Sequence, residues 1–383
     1  MTRDESVDRG RLDEAGDAME EGGLGHLLSP RAIAVIVGGI VVAIVGLYVL
    51  LPKLVGVHDA INRIGDAKWY WIVVAFAFVT MTFIAYAAVF RGIVGAGDDE
   101  VMRERLTFRA SYEITMAGFA GSTFFSAAGA GGLVVIYWAL RKADMEARRA
   151  ACRMVALVVL LYALYALSLI VFGVLLATHV LPGSAPVGGT IVPAAIALVL
   201  MIVTLLIALI PGDVERRLNL LQRSTRWARV ARRLATVPGT LSSGVRTAID
   251  RLRNPNTSWL ALGGGALYWA GNIGVLWASF HAFGVQVPFA VVVQGFFVGM
   301  AANVIPSPAA GAGPVDAGMI AAFLLFDIPK DSVFPAVLTY RLIAFWLPTI
   351  PGIVAYFQLR RTVRRWEMVR GRYTSVSKAL EVG

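Results

Sequence analysis

Apolar residues come in long blocks along this chain rather than alternating with polar ones. Blocks near 32–51, 69–90, 154–177, 190–211, 259–280 and 333–357 are each long enough for an α-helix that crosses a bilayer, which takes about 20 residues. Two further regions, about 112–139 and 289–326, are apolar but broken. The breaks share a motif. Ser126-Ala-Ala-Gly-Ala-Gly-Gly132 interrupts the first and Pro308-Ala-Ala-Gly-Ala-Gly-Pro314 the second, the AAGAG core recurring 182 residues on. Glycine weakens a helix, and proline stops or restarts one. Each region is therefore predicted to be a helix, a break and a second helix.

Charge decides how the blocks cross. Basic residues stay on the cytoplasmic side. With the N-terminus inside and each broken region returning to the side it entered from, the inside segments 1–31, 91–109, 140–153, 212–258 and 358–383 carry 4, 4, 5, 10 and 7 Lys and Arg. The outside connections near 52–68, 178–189, 281–288 and 326–332 carry 3, 0, 0 and 1. Letting either broken region cross fully would place basic loops outside, so both are predicted to be re-entrant. The first then enters from the cytoplasm and the second from the opposite face, which relates the two AAGAG units by inversion. Inverted repeats with discontinuous helices are an architecture of many secondary transporters. Irregular backbone at that depth is tolerated where protein covers it or where it lines a wet cavity.

Composition agrees: 57% of the 383 residues are hydrophobic and 16% charged, against about 45–50% and 25% in soluble domains. The net charge of +10 is explained by topology and an anionic inner leaflet, not by nucleic acid. Arg216, Arg217, Arg223, Arg226, Arg229, Arg232 and Arg233, interleaved with Leu218, Leu221, Trp227, Val230 and Leu234, read as an amphipathic helix on that leaflet. Arg360, Arg361, Arg364 and Arg365 extend the last block into headgroups. Trp69, Tyr70, Trp71 and Trp259 suit the aromatic belt, and Gly263-Gly264-Gly265 suits close helix packing. Cys152 has no partner in the chain for a disulfide, and four scattered histidines show no metal-ligand spacing. No cofactor is expected. No short apolar leader with a cleavage site begins the chain, so no cleaved signal peptide is expected. No Lys-Ser/Thr follows either AAGAG, so neither is a nucleotide loop. No nucleophile–base pair is readable, and an enzyme is not expected.

Charges inside apolar segments cost about 2.5–3.5 kcal/mol on insertion scales and so need a partner or a task. Asp316, Arg341 and Glu113 stand out, with Asn272 and Asn303 as candidate buried amides. Asp316 and Arg341 read either as a salt bridge fixing the second hairpin against the last helix or as a headgroup site in which Arg341 meets phosphate; both can hold together. Glu113, near an interface, reads equally as a solvated carboxylate. Tyr340 and the break glycines Gly129, Gly131, Gly311 and Gly313 complete the candidate binding residues.

Three stretches together carry a resemblance: Asn303-Val-Ile-Pro-Ser-Pro308, Gly311-Ala-Gly-Pro-Val-Asp-Ala-Gly-Met-Ile320 and Val337-Leu-Thr-Tyr-Arg-Leu-Ile-Ala-Phe-Trp-Leu-Pro348. They resemble the C-terminal signature of the bacterial flippase-like transmembrane family named after the membrane part of lysylphosphatidylglycerol synthase. The resemblance covers roughly 32–357 in layout. It implies a lipid-translocating membrane domain in the bacterial cell membrane, with Asp316 and Arg341 at the family's acidic and basic positions. Ala309-Ala310 stand in for the usual Gly-Gly, and Asp316 for the commoner Glu. Leu133, Val134 and Val135 follow Gly132 where the family usually carries Glu and then Arg. Only a 26-residue basic tail follows residue 357, so no synthetase domain is expected.

The expected protein is all-α and polytopic, with about six transmembrane helices plus two inverted re-entrant helical hairpins. A disordered acidic cytoplasmic tail over 1–30 precedes a flippase-like transmembrane domain over 31–357, with a basic amphipathic cytoplasmic loop at 212–258 and a basic cytoplasmic tail over 358–383. Its expected work is to bind a phospholipid or lipid-linked substrate by an anionic or phosphate-bearing headgroup and move it between leaflets. Movement would be passive or coupled to an ion through Asp316 or Glu113, and the chain could act as a homo-oligomer. The alternative is a non-transporting membrane scaffold that recruits cell-envelope enzymes.

Overall fold

The computed structural model describes residues 67–95, 100–124, 130–209, 242–253, 255–305 and 313–382. The chain divides into two units, Met1–Asn62 and Arg63–Gly383, and every described residue lies in the second. The expected acidic tail, the apolar block at 32–51, most of the 212–258 loop, Gly129 and Gly311 lie outside the described residues.

The regular structure among the described residues is all helical, with no strand. In chain order they form α1 (Trp69–Phe90, continued by a π-helical stretch Arg91–Gly95), α2 (Glu100–Arg105), α3 (Phe108–Phe124), α4 (Ala130–Lys142), α5 (Ala147–Ala177) and α6 (Ile191–Leu209). There follow α7 (Pro255–Ala282), α8 (Phe289–Met300, continued by a 3-10 stretch Ala301–Val304), α9 (Pro314–Leu325), α10 (Lys330–Arg341), a π stretch Leu342–Trp346 and α11 (Leu347–Val382). Three runs are long and apolar enough to cross a membrane: Trp69–Gly95, Ala147–Ala177 and Lys330–Val369. The last run continues unbroken into α11, so the basic segment after residue 357 is helix to Val382.

Both broken regions fold as helix pairs. In the first, a Cβ on Gly132 would lie 2.5 Å from the Gly118 carbonyl oxygen, and one on Gly121 3.2 Å from the Gly131 carbonyl, so α3 and α4 run antiparallel with their backbones touching. In the second, a Cβ on Gly299 would lie 2.5 Å from Met319 Cα, and one on Gly318 2.7 Å from the Gly299 carbonyl. Side chains larger than hydrogen do not fit at either crossing.

The helices before these pairs, α1 and α7, lie antiparallel through glycines. Gly92 meets Leu260, Val89 meets Gly264, Thr82 meets Gly271 and Phe78 meets Gly274. Tyr86 and Tyr268 stack in the middle, ring centroids 5.2 Å apart. These contacts obey the 182-residue offset of the AAGAG cores. Adding 182 to Phe78, Thr82, Val89 and Gly92 gives Leu260, Gly264, Gly271 and Gly274, so each contact has a mirror contact. Tyr86 maps onto Tyr268 and pairs with its own counterpart. An approximate two-fold axis therefore passes through that stack, perpendicular to α1 and α7.

The remaining packing is reciprocal in the same sense. The first arm of each pair lies against the helix that follows the other pair. On α3, Phe119 meets Phe345, and Gly352 of α11 leaves room only for Met116 and Ala120. On α8, the Phe297 carbonyl accepts from the Tyr165 hydroxyl of α5. Two apolar cores result, one around α7 to α10 and one around α3, α4 and the end of α1. Helix α6 packs on α5 through Ala194 and Ala197 and exposes most of its apolar side chains.

Candidate functional site

The second helix pair restarts at a built N-terminus. Gly313 has φ +91°, a left-handed conformation that glycine adopts without penalty. Pro314 follows at the first helical position, where its missing N–H costs nothing. Asp316 Oδ2 turns back to accept the Gly313 N–H at 2.8 Å. Sequence alone places this acid at the start of the returning half-helix, and the structure puts it there.

Asp316 Oδ1 lies 2.6 Å from Arg341 Nε, and the two side chains are 0% and 5% exposed. The angle between them falls outside that of a hydrogen bond, and Arg341 Nη2 meets no acceptor among the described residues. A buried guanidinium with an unused donor is an unsatisfied group of the kind folded proteins rarely keep. The guanidinium also lies 4.4 Å from the centroid of the Phe345 ring, within the range of a cation–π contact. Phe345 meets Phe119 edge to face near the end of α3, centroids 5.8 Å apart. Arg341 thus stands where both helix pairs meet, one through Asp316 and the other through Phe345. The π stretch Leu342–Trp346 begins at the next residue; such stretches collect at functional sites.

Tyr340, on the same turn, is buried, and its hydroxyl donates to Asn272 Oδ1 at 3.4 Å. Asn272 Nδ2 donates to the Tyr268 carbonyl at 2.9 Å. Asp316, Arg341, Tyr340 and Gly313 are therefore brought together, with Asn272 beside them.

Three expected residues go elsewhere. Glu113 is 1% exposed, so the solvated reading is overturned. Its Oε1 accepts from Arg109 Nε at 2.9 Å and its Oε2 from the Thr362 hydroxyl at 2.7 Å. Thr362 lies 21 residues beyond Arg341 on the same helical run, about 30 Å of helix axis, so Glu113 ties α3 to α11 and stands apart from Arg341. Asn303 is exposed, not the expected buried amide, because the 3-10 stretch at the end of α8 buries none of its residues. Gly131 serves the α3–α4 crossing. Of the glycine triplet, Gly264 and Gly265 pack closely as expected, while Gly263 faces open space.

One buried charge escaped the sequence reading. The charge pattern places Arg153 in the basic segment 140–153, but it lies inside α5, is 3% exposed and donates through Nη1 to the Val94 carbonyl. That carbonyl belongs to the π stretch at the end of α1. The signal was present in Ala150-Ala-Cys-Arg-Met-Val155, an arginine already inside an apolar run. No group of three or more His, Cys, Asp or Glu able to hold a metal occurs among the described residues.

No curated protein matches the chain. The family described as lysylphosphatidylglycerol synthase TM region matches residues 35–352, a span that takes in both helix pairs, the antiparallel α1 and α7, Asp316 and Arg341. The chain is an apolar, all-helical membrane protein that belongs to the lysylphosphatidylglycerol synthase transmembrane-region family.

Proposed function

We propose that this membrane domain moves a phosphate-bearing lipid between leaflets, taking the headgroup at Arg341. The observation that carries the reading is the unused Nη2 donor of a buried arginine where the two helix pairs meet. An arginine is the side chain of choice for phosphate, which it meets with planar, charge-assisted hydrogen bonds. With the pairs read as re-entrant hairpins, the site lies near mid-depth, and the two-fold axis through Tyr86 and Tyr268 lies in the membrane plane. Each hairpin then opens toward an opposite face, the arrangement that alternating access uses. Asp316 holds Arg341 in place between arrivals and is the group through which an ion could be coupled.

The test is leaflet exchange of fluorescent phospholipids in proteoliposomes, read with a membrane-impermeant quencher. Asp316→Asn and Arg341→Gln, each checked for folding, are expected to lose exchange that the wild type shows. A wild type with no exchange of any anionic or zwitterionic lipid, with or without an ion gradient, would overturn the reading and favour the scaffold.

A further inference from the structure

Tyr86 and Tyr268 are half-buried, and their hydroxyls have no hydrogen-bond partner among the described residues. Their neighbours behave differently. Tyr165 donates to the Phe297 carbonyl and Trp269 Nε1 to the Leu161 carbonyl at 2.9 Å, each tying two helices together. Tyr268 and Trp269 are the two central residues of α7, so an unpaired phenol there sits where lipid offers nothing to bond. Both hydroxyls remain accessible, so water or a polar group that enters the site supplies the partner. The pair is joined to the Arg341 site through Asn272, which donates to the Tyr268 carbonyl and accepts from the Tyr340 hydroxyl.

The charges beside them complete the argument. The buried acids among the described residues are Glu113 and Asp316. Glu113 is paired with Arg109 and Thr362 far along α11, and Asp316 is engaged by Arg341 and the Gly313 N–H. No carboxylate is left over for an ammonium group, whose burial without a partner is costly.

We infer that the headgroup taken by this site carries uncharged hydroxyls beside its phosphate, as a glycerol- or inositol-phosphate lipid does, and that Tyr86, Tyr268 and Asn272 bind those hydroxyls. The inference rests on the reading of Arg341 as the phosphate site. Because Tyr86 and Tyr268 occupy equivalent places on the two-fold axis, a headgroup arriving from either side meets the same pair. A lysylated headgroup, with two ammonium groups, has no counter-charge here.

Exchange would be measured in wild-type proteoliposomes for four labelled lipids: phosphatidylglycerol, phosphatidylinositol, phosphatidic acid and lysylphosphatidylglycerol. At least one of the first two is expected to move about tenfold faster than the last two, the size of two hydroxyl hydrogen bonds. The double variant Tyr86→Phe/Tyr268→Phe keeps both rings and should bring exchange of the hydroxylated lipids down to the phosphatidic acid rate. The single variants should cost equally. Equal rates for hydroxylated lipids and phosphatidic acid, lysylphosphatidylglycerol moving as fast as either, or an unaffected double variant would overturn this inference alone. Uptake of labelled glycerol 3-phosphate without lipid exchange would overturn it in favour of a soluble ligand. No exchange of any of the four lipids would sink the Arg341 reading beneath it.

Discussion

Removing one member of the Asp316–Arg341 pair has two consequences that a second substitution separates. In Arg341→Gln, Asp316 stays buried with only the Gly313 N–H to satisfy it. Breaking a buried pair from one side costs about 3–5 kcal/mol, or roughly 150- to 5,000-fold in the folded-to-unfolded ratio. The lost stacking on Phe345 adds about 1–2 kcal/mol. The double variant Asp316→Asn/Arg341→Gln removes both charges and keeps amides able to bond to each other and to Gly313. Replacing a buried pair by neutral groups is often close to neutral, so stability should return most of the way. Transport should not, because a neutral amide offers phosphate no positive charge. The assay is thermal unfolding in detergent alongside lipid exchange on the same preparations. A double variant that recovers both stability and exchange would reduce the pair to a clasp and refute its role in binding.

Other predictions follow from the packing. Gly132→Ala puts a methyl 2.5 Å from the Gly118 carbonyl oxygen and should cost about 1–3 kcal/mol by overpacking, seen as a lower unfolding midpoint. Gly263→Ala, where a Cβ meets nothing within 4 Å, should leave that midpoint unchanged or raise it. Thr362→Val removes a hydroxyl donor from the buried Glu113 carboxylate and should destabilise by about 1.5–3 kcal/mol without altering which lipids exchange. A shift in lipid preference would show that Glu113 belongs to the headgroup path after all. Phe345→Leu keeps an apolar side chain but loses the ring contacts with both Arg341 and Phe119; exchange should fall more than stability does.

Much of the fold was legible because membranes impose few solutions. The block at 69–90 is α1 to the residue, since a run of apolar residues in lipid must be helix. The helix–break–helix pairs were legible from glycine and proline, whose backbone effects are local. The Asp316–Arg341 pair was legible because a charge in an apolar run must find a partner, and those two were the candidates in the same repeat. What could not be read was set by distance in sequence. Glu113 and Thr362 are 249 residues apart, and an acid at the mouth of a hairpin looks the same whether water or a threonine meets it. Asn303 failed because a helix end can turn a side chain outward within one residue.

The 182-residue offset shows where a stronger reading was within reach. It is conspicuous in the AAGAG cores, where glycine and alanine match residue for residue, and it also joins Tyr86 to Tyr268 and Gly92 to Gly274. Between those anchors the two segments share little, because an antiparallel two-fold asks for complementary neighbours and not identical ones. Val89 opposes Gly264 while Thr82 opposes Gly271: in this mirror-related pair one side is glycine and the other is not, and the glycine comes from α7 both times. Sequence identity between the halves is therefore a poor guide to the symmetry, and paired contacts are a good one. The tyrosines are the exception, since a residue on the axis faces its own equivalent and two phenols can stack without either giving way. That is the physical reason the one aromatic side chain repeated at this offset lies on the axis, a helical turn from the Asn272 that meets Tyr340 beside Arg341.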